Sequence, residues 1–97
     1  MPRPKKIRYT RCRPNALYYK PRGVPLIQLQ EVCLSLDELE AIRLADYKRL
    51  YHEQAAERMH ISRPTFGRIL EVAHRKLAET LIEGKALRIE TKTENGG

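Results

Sequence analysis

Gln54-Ala55-Ala56-Glu57-Arg58-Met59-His60-Ile61-Ser62-Arg63-Pro64-Thr65-Phe66-Gly67-Arg68-Ile69-Leu70 is the stretch whose reading decides the fold. Ser62 carries a helix N-cap side chain, and Pro64 falls in the first turn behind it, where a missing N–H costs nothing. Upstream, Ala55 and Met59 lie one helical turn apart. Downstream, Phe66 and Ile69 do the same on a second helix. With Ile61 in the turn, these five side chains close one small core between two crossed helices, and Ala56 falls where the helices approach most closely. Helix, short turn and a second helix opened by a Ser cap is the helix-turn-helix plan. The turn position often held by Gly is His60, which reaches the left-handed backbone less easily.

Helical spacing continues in both directions. Phe66, Ile69, Leu70, Ala73, Leu77 and Thr80 fall on one stripe at 100° per residue, which predicts a helix over 63–83 that stops at Gly84, a natural C′ residue. Its opposite face holds Pro64, Arg68, Glu71 and Arg75. On the N-terminal side, Ser35 and Glu38 form a capping box, and Leu36, Leu39, Ile42 and Ala45 predict a helix over about 36–47. Asp46 to Leu50 form its exit, and a further helix covers about 51–59. Leu87 and Ile89 alternate with charged residues, so 86–91 reads as a short strand. The fold class is therefore mainly α: a helix-turn-helix three-helix core over 35–84, an irregular N-terminal arm over 1–34, and a short strand with a disordered tail over 85–97. In the arm, five of the six prolines lie within residues 1–25. Short edge strands are expected around Ile7–Tyr9 and Ala16–Tyr19, and residues 26–34 read as a helical turn followed by an extended piece.

Charge points to a partner. The 97 residues carry 19 Lys and Arg against 12 Asp and Glu. Residues 1–30 hold eight bases and no acid, residues 31–62 four bases and seven acids, and residues 63–97 seven bases and five acids. An acid-free basic segment repels itself and is stabilised by a polyanion, of which nucleic acid is the commonest inside a cell. A solvated tail is the bland alternative. No apolar run reaches the length of a membrane span and no signal peptide is visible, so a cytoplasmic, nucleoid-associated protein is expected. Cys12 and Cys33 are 21 positions apart, and His52, His60 and His74 have no partner at metal-ligand spacing, so neither a metal nor a cofactor is expected. The acids Asp37, Glu38 and Glu40 suit a helix N-terminus. No Gly-rich phosphate loop is present, and an enzyme is not expected.

Tyr18-Tyr19-Lys20-Pro21, Gly23-Val24-Pro25-Leu26, Leu36-Asp37-Glu38-Leu39-Glu40-Ala41-Ile42-Arg43-Leu44-Ala45-Asp46, Gln54-Ala55-Ala56-Glu57-Arg58-Met59, Ser62-Arg63-Pro64-Thr65-Phe66-Gly67-Arg68-Ile69-Leu70-Glu71 and Gly84-Lys85-Ala86-Leu87-Arg88-Ile89 follow one another in an order that resembles an uncharacterised family of short prokaryotic proteins predicted to bind DNA. The resemblance covers roughly residues 1–91. It implies a helix-turn-helix similar to the promoter-reading C-terminal domain of sigma factors.

The expected function is sequence-specific binding of double-stranded DNA by a transcriptional regulator, with the helix over 63–83 in the major groove. Arg68 suits a guanine edge, Thr65 a thymine methyl or a phosphate, and Arg63 a phosphate at the helix N-terminus. Pro64 and Arg75 complete that face, which as a bland alternative is an ordinary solvated one. Lys5, Lys6 and Arg8 in the arm suit phosphates or the neighbouring minor groove. A homodimer on DNA is expected, with Leu77, Leu81 and Ile82 as its pairing surface, and RNA polymerase is a candidate partner. Two rivals stand beside this reading. One is an RNA-binding protein that uses the arm and stacks bases on Tyr18 and Tyr19. The other is an adaptor that docks on a protein through the long third helix.

Overall fold

A computed structural model describes residues 14–90. Strand β1 (Tyr18–Tyr19) is followed by a single 3-10 turn over Leu26–Gln28 and by strand β2 (Glu31–Leu34). Helix α1 (Leu36–Ile42) runs into a wider turn over Arg43–Tyr47. Then come α2 (His52–Met59), α3 (Arg63–Glu83) and strand β3 (Ala86–Ile89). The protein is mainly helical with a small three-stranded sheet. The strand expected at Ile7–Tyr9 lies outside the described residues.

Local chemistry explains the helix ends. Ser35 Oγ accepts the Glu38 N–H at 3.2 Å while Glu38 Oε1 accepts the Ser35 N–H at 3.0 Å, so both halves of the capping box are made; Ser35 also donates its hydroxyl proton to Asp37. At Arg43–Tyr47 the ladder widens: the Lys48 N–H bonds the Arg43 carbonyl at 2.8 Å, five residues back, as in the π-type turns that close or interrupt helices. Helix α2 ends in a Schellman motif. His60 takes the left-handed conformation at φ 59°, ψ 43°. Its N–H bonds the Glu57 carbonyl and the Ile61 N–H bonds the Ala56 carbonyl, both at 3.1 Å, which satisfies carbonyls that the helix end would otherwise orphan. Gly84 ends α3 in the same left-handed region.

The sheet order is β1-β3-β2, with β1 antiparallel and β2 parallel to β3. Residues 18–34, which belong to the arm by sequence, thus supply two of the three strands. Their tie to the domain is hydrophobic, because Val32 and Leu34 are buried against Ala73 and Leu87, with Leu39, Ile42 and Leu77 packed around them. A second cluster holds Ala41, Leu44, Ala55, Ala56, Met59, Phe66 and Leu70, ringed by Ile61, Ile69 and other half-buried aliphatics. Helix α3 serves both clusters, and so does Ile42.

Two polar ties complete the core. Glu40 is 2% exposed, and Arg43 on the next turn donates to both its carboxylate oxygens at 2.8 and 2.9 Å; this bidentate grip offsets the desolvation of a buried charge. Lys76 on α3 donates to the Cys33 carbonyl and to Glu38 Oε1, each at 2.8 Å. One ammonium therefore joins α3, β2 and the cap of α1. Cys33 carries a free thiol, and Cys12 lies outside the described residues.

A clasp spans the exposed side of the sheet. The Tyr18 hydroxyl donates to Glu31 Oε2 at 2.7 Å, and Arg88 Nε meets Glu31 Oε1 at 3.2 Å. The Tyr18 bond, with help from Arg88, holds the Glu31 carboxyl below its ordinary range and raises the Tyr18 phenol. A depressed carboxyl stabilises the fold above the unfolded group's pKa, and that stabilisation is lost as pH falls through the depressed value. Thermal stability should therefore fall on acidification, and Glu31→Gln should lose less than the parent over the same pH interval in melts followed by circular dichroism. In the core, Phe66 is fully buried among small and aliphatic neighbours that cannot collapse onto a vacated ring. Phe66→Ala should cost about 3–5 kcal/mol in urea unfolding.

Candidate nucleic-acid interface

The start of α3 is built by its cap. Ser62 is extended at φ −75°, ψ 157°. Its hydroxyl oxygen accepts the Thr65 N–H at 3.2 Å, and the same hydroxyl donates to Thr65 Oγ1 at 2.9 Å. Thr65 Oγ1 also receives Arg68 Nη2 at 3.4 Å. The chain Ser62–Thr65–Arg68 thus fixes the first two turns along their outer side. Arg63 and Pro64 occupy the first turn, and the helix N-terminus carries no acid there, leaving its partial positive charge for an outside anion.

All eight sequence-predicted site residues can be placed or set aside. Arg63, Pro64, Arg68 and Arg75 are exposed on α3 and Thr65 is half-buried, so five lie along one helix. Lys5, Lys6 and Arg8 lie outside the described residues. The inward stripe falls as the helical period predicts: Phe66, Leu70 and Ala73 are buried, with Ile69, Leu77 and Thr80 half-buried. Of the expected pairing residues, Leu77 packs into the sheet cluster, whereas Leu81 and Ile82 are exposed.

The cations of this surface share it with one exposed acid of the same helix face, Glu71. Four of the seven acids of the middle segment are engaged internally, Glu31 with Arg88, Glu38 with Lys76, Glu40 with Arg43 and Asp46 with His74, whereas Glu53 and Glu57 are exposed on α2. Glu79 and Glu83 both meet Lys85, whose hydrogen bond draws the Glu79 carboxyl down and raises the Lys85 ammonium. Lys48, Arg49, Arg63, Arg68 and Arg75 make no ion pair among the described residues.

Gly67 is a gap in the exposed face. A Cβ built there would meet nothing within 4 Å, so no internal packing requires glycine, although Gly in a helix interior costs about 0.8–1 kcal/mol relative to Ala.

Sequence reading missed the segment between α1 and α2, treating it only as an exit. Its two ends are pinned to α3 about two turns apart. Asp46 Oδ2 lies 2.7 Å from His74 Nε2, and the His52 ring meets the Phe66 ring edge-on at 5.3 Å. Between them, Tyr47 and Tyr51 are 80% and 79% exposed, and Lys48 and Arg49 are exposed as well. The only signal was compositional, a Tyr-Lys-Arg-Leu-Tyr run.

This geometry stands in a defined family. The chain belongs to the family described as "Protein of unknown function DUF134", whose model matches residues 1–95. It is 52% identical over 90 residues to a UPF0251 protein of Caldanaerobacter subterraneus subsp. tengcongensis and, over the same length, to one of Thermoanaerobacter pseudethanolicus, covering 93% of this chain and 76% of each relative. A UPF0251 protein of Desulfosudis oleivorans is also 52% identical, with 93% of this chain and 65% of that protein covered. No solved structure matches the chain. No helix among the described residues is long and apolar enough to cross a membrane.

Gly67→Ala should raise the unfolding free energy by about 0.5–1 kcal/mol, through better helix propensity with no clash. Chemical denaturation of the unbound protein measures this.

Proposed function

We propose that this chain binds double-stranded DNA sequence-specifically as a transcriptional regulator, with α2, the His60 turn and α3 acting as a helix-turn-helix and α3 entering the major groove. The observation that carries the reading is the start of α3, where Arg63, Pro64 and Arg68 are exposed, a Cβ on Gly67 would meet nothing within 4 Å, and the cations make no ion pair among the described residues. A recognition helix reads bases with its N-terminal turns. Arg68, propped by Thr65, carries the two-pronged donor that matches guanine O6 and N7. Arg63, beside the positive end of the α3 dipole, takes a phosphate. Lys5, Lys6 and Arg8 of the acid-free arm add charge neutralisation, and Arg75 extends the basic face along α3. The likeness to promoter-reading sigma domains, RNA polymerase as a partner, nucleoid association and pairing of two copies on a symmetric site belong to the same proposal.

Binding should weaken steeply with salt. With roughly 5–8 phosphate contacts, the log–log slope is about −4 to −7. Arg68→Ala should lose about 1–3 kcal/mol on a site selected from a random duplex library and much less on unrelated duplex. Lys5→Ala with Lys6→Ala should weaken both duplexes equally and flatten the slope by roughly 1–2 units. Fluorescence anisotropy across a salt series measures all three, after circular dichroism has shown that the variants are folded. Equal losses for Arg68→Ala on both duplexes remove it from base reading. Preferential competition by single-stranded RNA would favour the RNA-binding rival instead.

A further inference from the structure

We propose that the Tyr47–Tyr51 loop is a second nucleic-acid contact, a clasp for the phosphodiester backbone flanking the groove that α3 occupies; this rests on the DNA-binding reading above. Four observations converge on it. The loop is anchored on both sides of its exposed residues, by Asp46 to His74 and by His52 to Phe66, so it lies alongside the first three turns of α3 and not at a distant surface. Its backbone is held: the Lys48 N–H bonds the Arg43 carbonyl at 2.8 Å and the Leu50 N–H bonds the Leu44 carbonyl at 3.0 Å, while the Leu50 side chain packs against the helical cluster that holds Leu44, Met59 and Phe66. The exposed side chains have phosphate chemistry, two cations between two phenol hydroxyls. Arg49 sits in the left-handed region at φ 63°, where Gly or Asn is the relaxed choice. A large cation thus occupies a strained position on a fixed loop and makes no ion pair among the described residues. Such strain clusters at functional sites.

A backbone contact and a base contact differ in what they read. Phosphates carry no sequence, so the clasp supplies affinity and salt dependence equally on every duplex. It also fixes the position of α3 along the groove, because loop and helix form one rigid unit.

The test uses the full chain with a duplex selected from a random library, an unrelated duplex, and single-stranded DNA of the same sequence. Lys48→Ala with Arg49→Gly removes both cations, and glycine keeps the left-handed backbone relaxed so that the variant folds. The expected result is a loss of roughly 10- to 100-fold on both duplexes alike and a salt slope flatter by about 2 units, one per phosphate released. Arg49→Lys should restore part of the slope. Tyr47→Phe with Tyr51→Phe should weaken duplex binding several-fold, and ethylation interference should lose a phosphate signal in the double cation variant while the signals dependent on Arg63 persist. Unchanged affinity and slope in the cation variant, with Arg68→Ala still losing the selected site, overturns the clasp and leaves the recognition helix standing. A loss confined to the selected duplex assigns the loop to base reading and overturns the backbone role. A loss confined to single-stranded DNA, reproduced by Tyr→Ala and spared by Tyr→Phe, assigns the tyrosines to stacking and overturns it as well. A parent protein that binds no duplex at low salt overturns both this inference and the reading on which it rests.

Discussion

Everything on the proposed binding side depends on a chain reversal made in three residues. His60, Ile61 and Ser62 must end one helix and begin the next, and only a left-handed backbone at His60 lets the Ile61 and His60 amides turn back onto Ala56 and Glu57. A non-glycine residue resists that conformation by roughly 1–2 kcal/mol. The opposing term is the core that the reversal closes: Met59 immediately before it and Phe66 one turn into α3 are both fully buried in one cluster, with Ile61 packed against it. Fully burying one such side chain is worth about 1.5–3 kcal/mol, so the strain is outweighed at once. With Phe66 fixed inward, the helical period leaves no freedom for its neighbours. Pro64 and Arg68, two residues either side of it, must face solvent, and that part of the face is a geometric consequence of one buried ring, while Arg63 is exposed at the first position of the helix.

The length of α3 follows from the two cores it serves. Phe66 and Leu70 belong to the helical cluster, whereas Ala73 and Leu77 belong to the sheet cluster. One rigid rod of 21 residues therefore carries its first turns in one core and its later turns in another. Lys76 reinforces the second contact at a point where hydrocarbon alone would leave a polar group unpaired. The Cys33 carbonyl points away from β3, since along this strand the alternate carbonyls of Gln30 and Leu34 accept from Ala86 and Glu90, and the Lys76 ammonium covers it. That also blunts the outer edge of β2, a position at which exposed strands invite pairing with other chains.

Most of the helical fold was legible because its signals are local. The Ser35–Glu38 and Ser62–Pro64 starts, the Gly84 stop and the stripe from Phe66 to Thr80 each lie within a few residues, and α3 begins and ends where those signals place it. The sheet was legible only in part: strands are expected around Ala16–Tyr19 and over 86–91, where β1 and β3 lie, but their pairing through β2 is not. A two-residue strand and two four-residue strands carry almost no period, and the parallel pairing of Glu31 with Ala86 joins residues separated by all three helices. Residues 18–34 looked like an arm because their prolines and bases dominate their composition, while the two side chains that bind them to the core, Val32 and Leu34, are ordinary aliphatics. At the candidate site, the α3 face followed from periodicity. The Tyr47–Tyr51 loop did not, since exposure of a tyrosine is decided by which neighbours fold over it, and a capped helix exit has no pattern that predicts bare surface.

Folding also redistributes the charge in a way the linear chain conceals. By sequence the middle segment is the acidic one, which argues against a polyanion approaching α2 and its flanks. In the folded chain Glu31, Glu38, Glu40 and Asp46 are each held by a cation or histidine from another turn or element. The exposed pairs, Glu31 with Arg88 and Asp46 with His74, add little stability, but every pair offsets a negative charge in the field around the molecule. The cations that hold these acids (Arg43, Lys76 and Arg88) are correspondingly neutralised, whereas Lys48, Arg49, Arg63 and Arg68 keep their full charge. Net charge by segment is therefore a poor guide to where an anion binds. The pairing pattern leaves Lys48, Arg49, Arg63 and Arg68 without an ion pair among the described residues along the start of α3 and the loop beside it, although that loop lies in the acidic third of the chain and Glu53, Glu57 and Glu71 are exposed nearby in sequence.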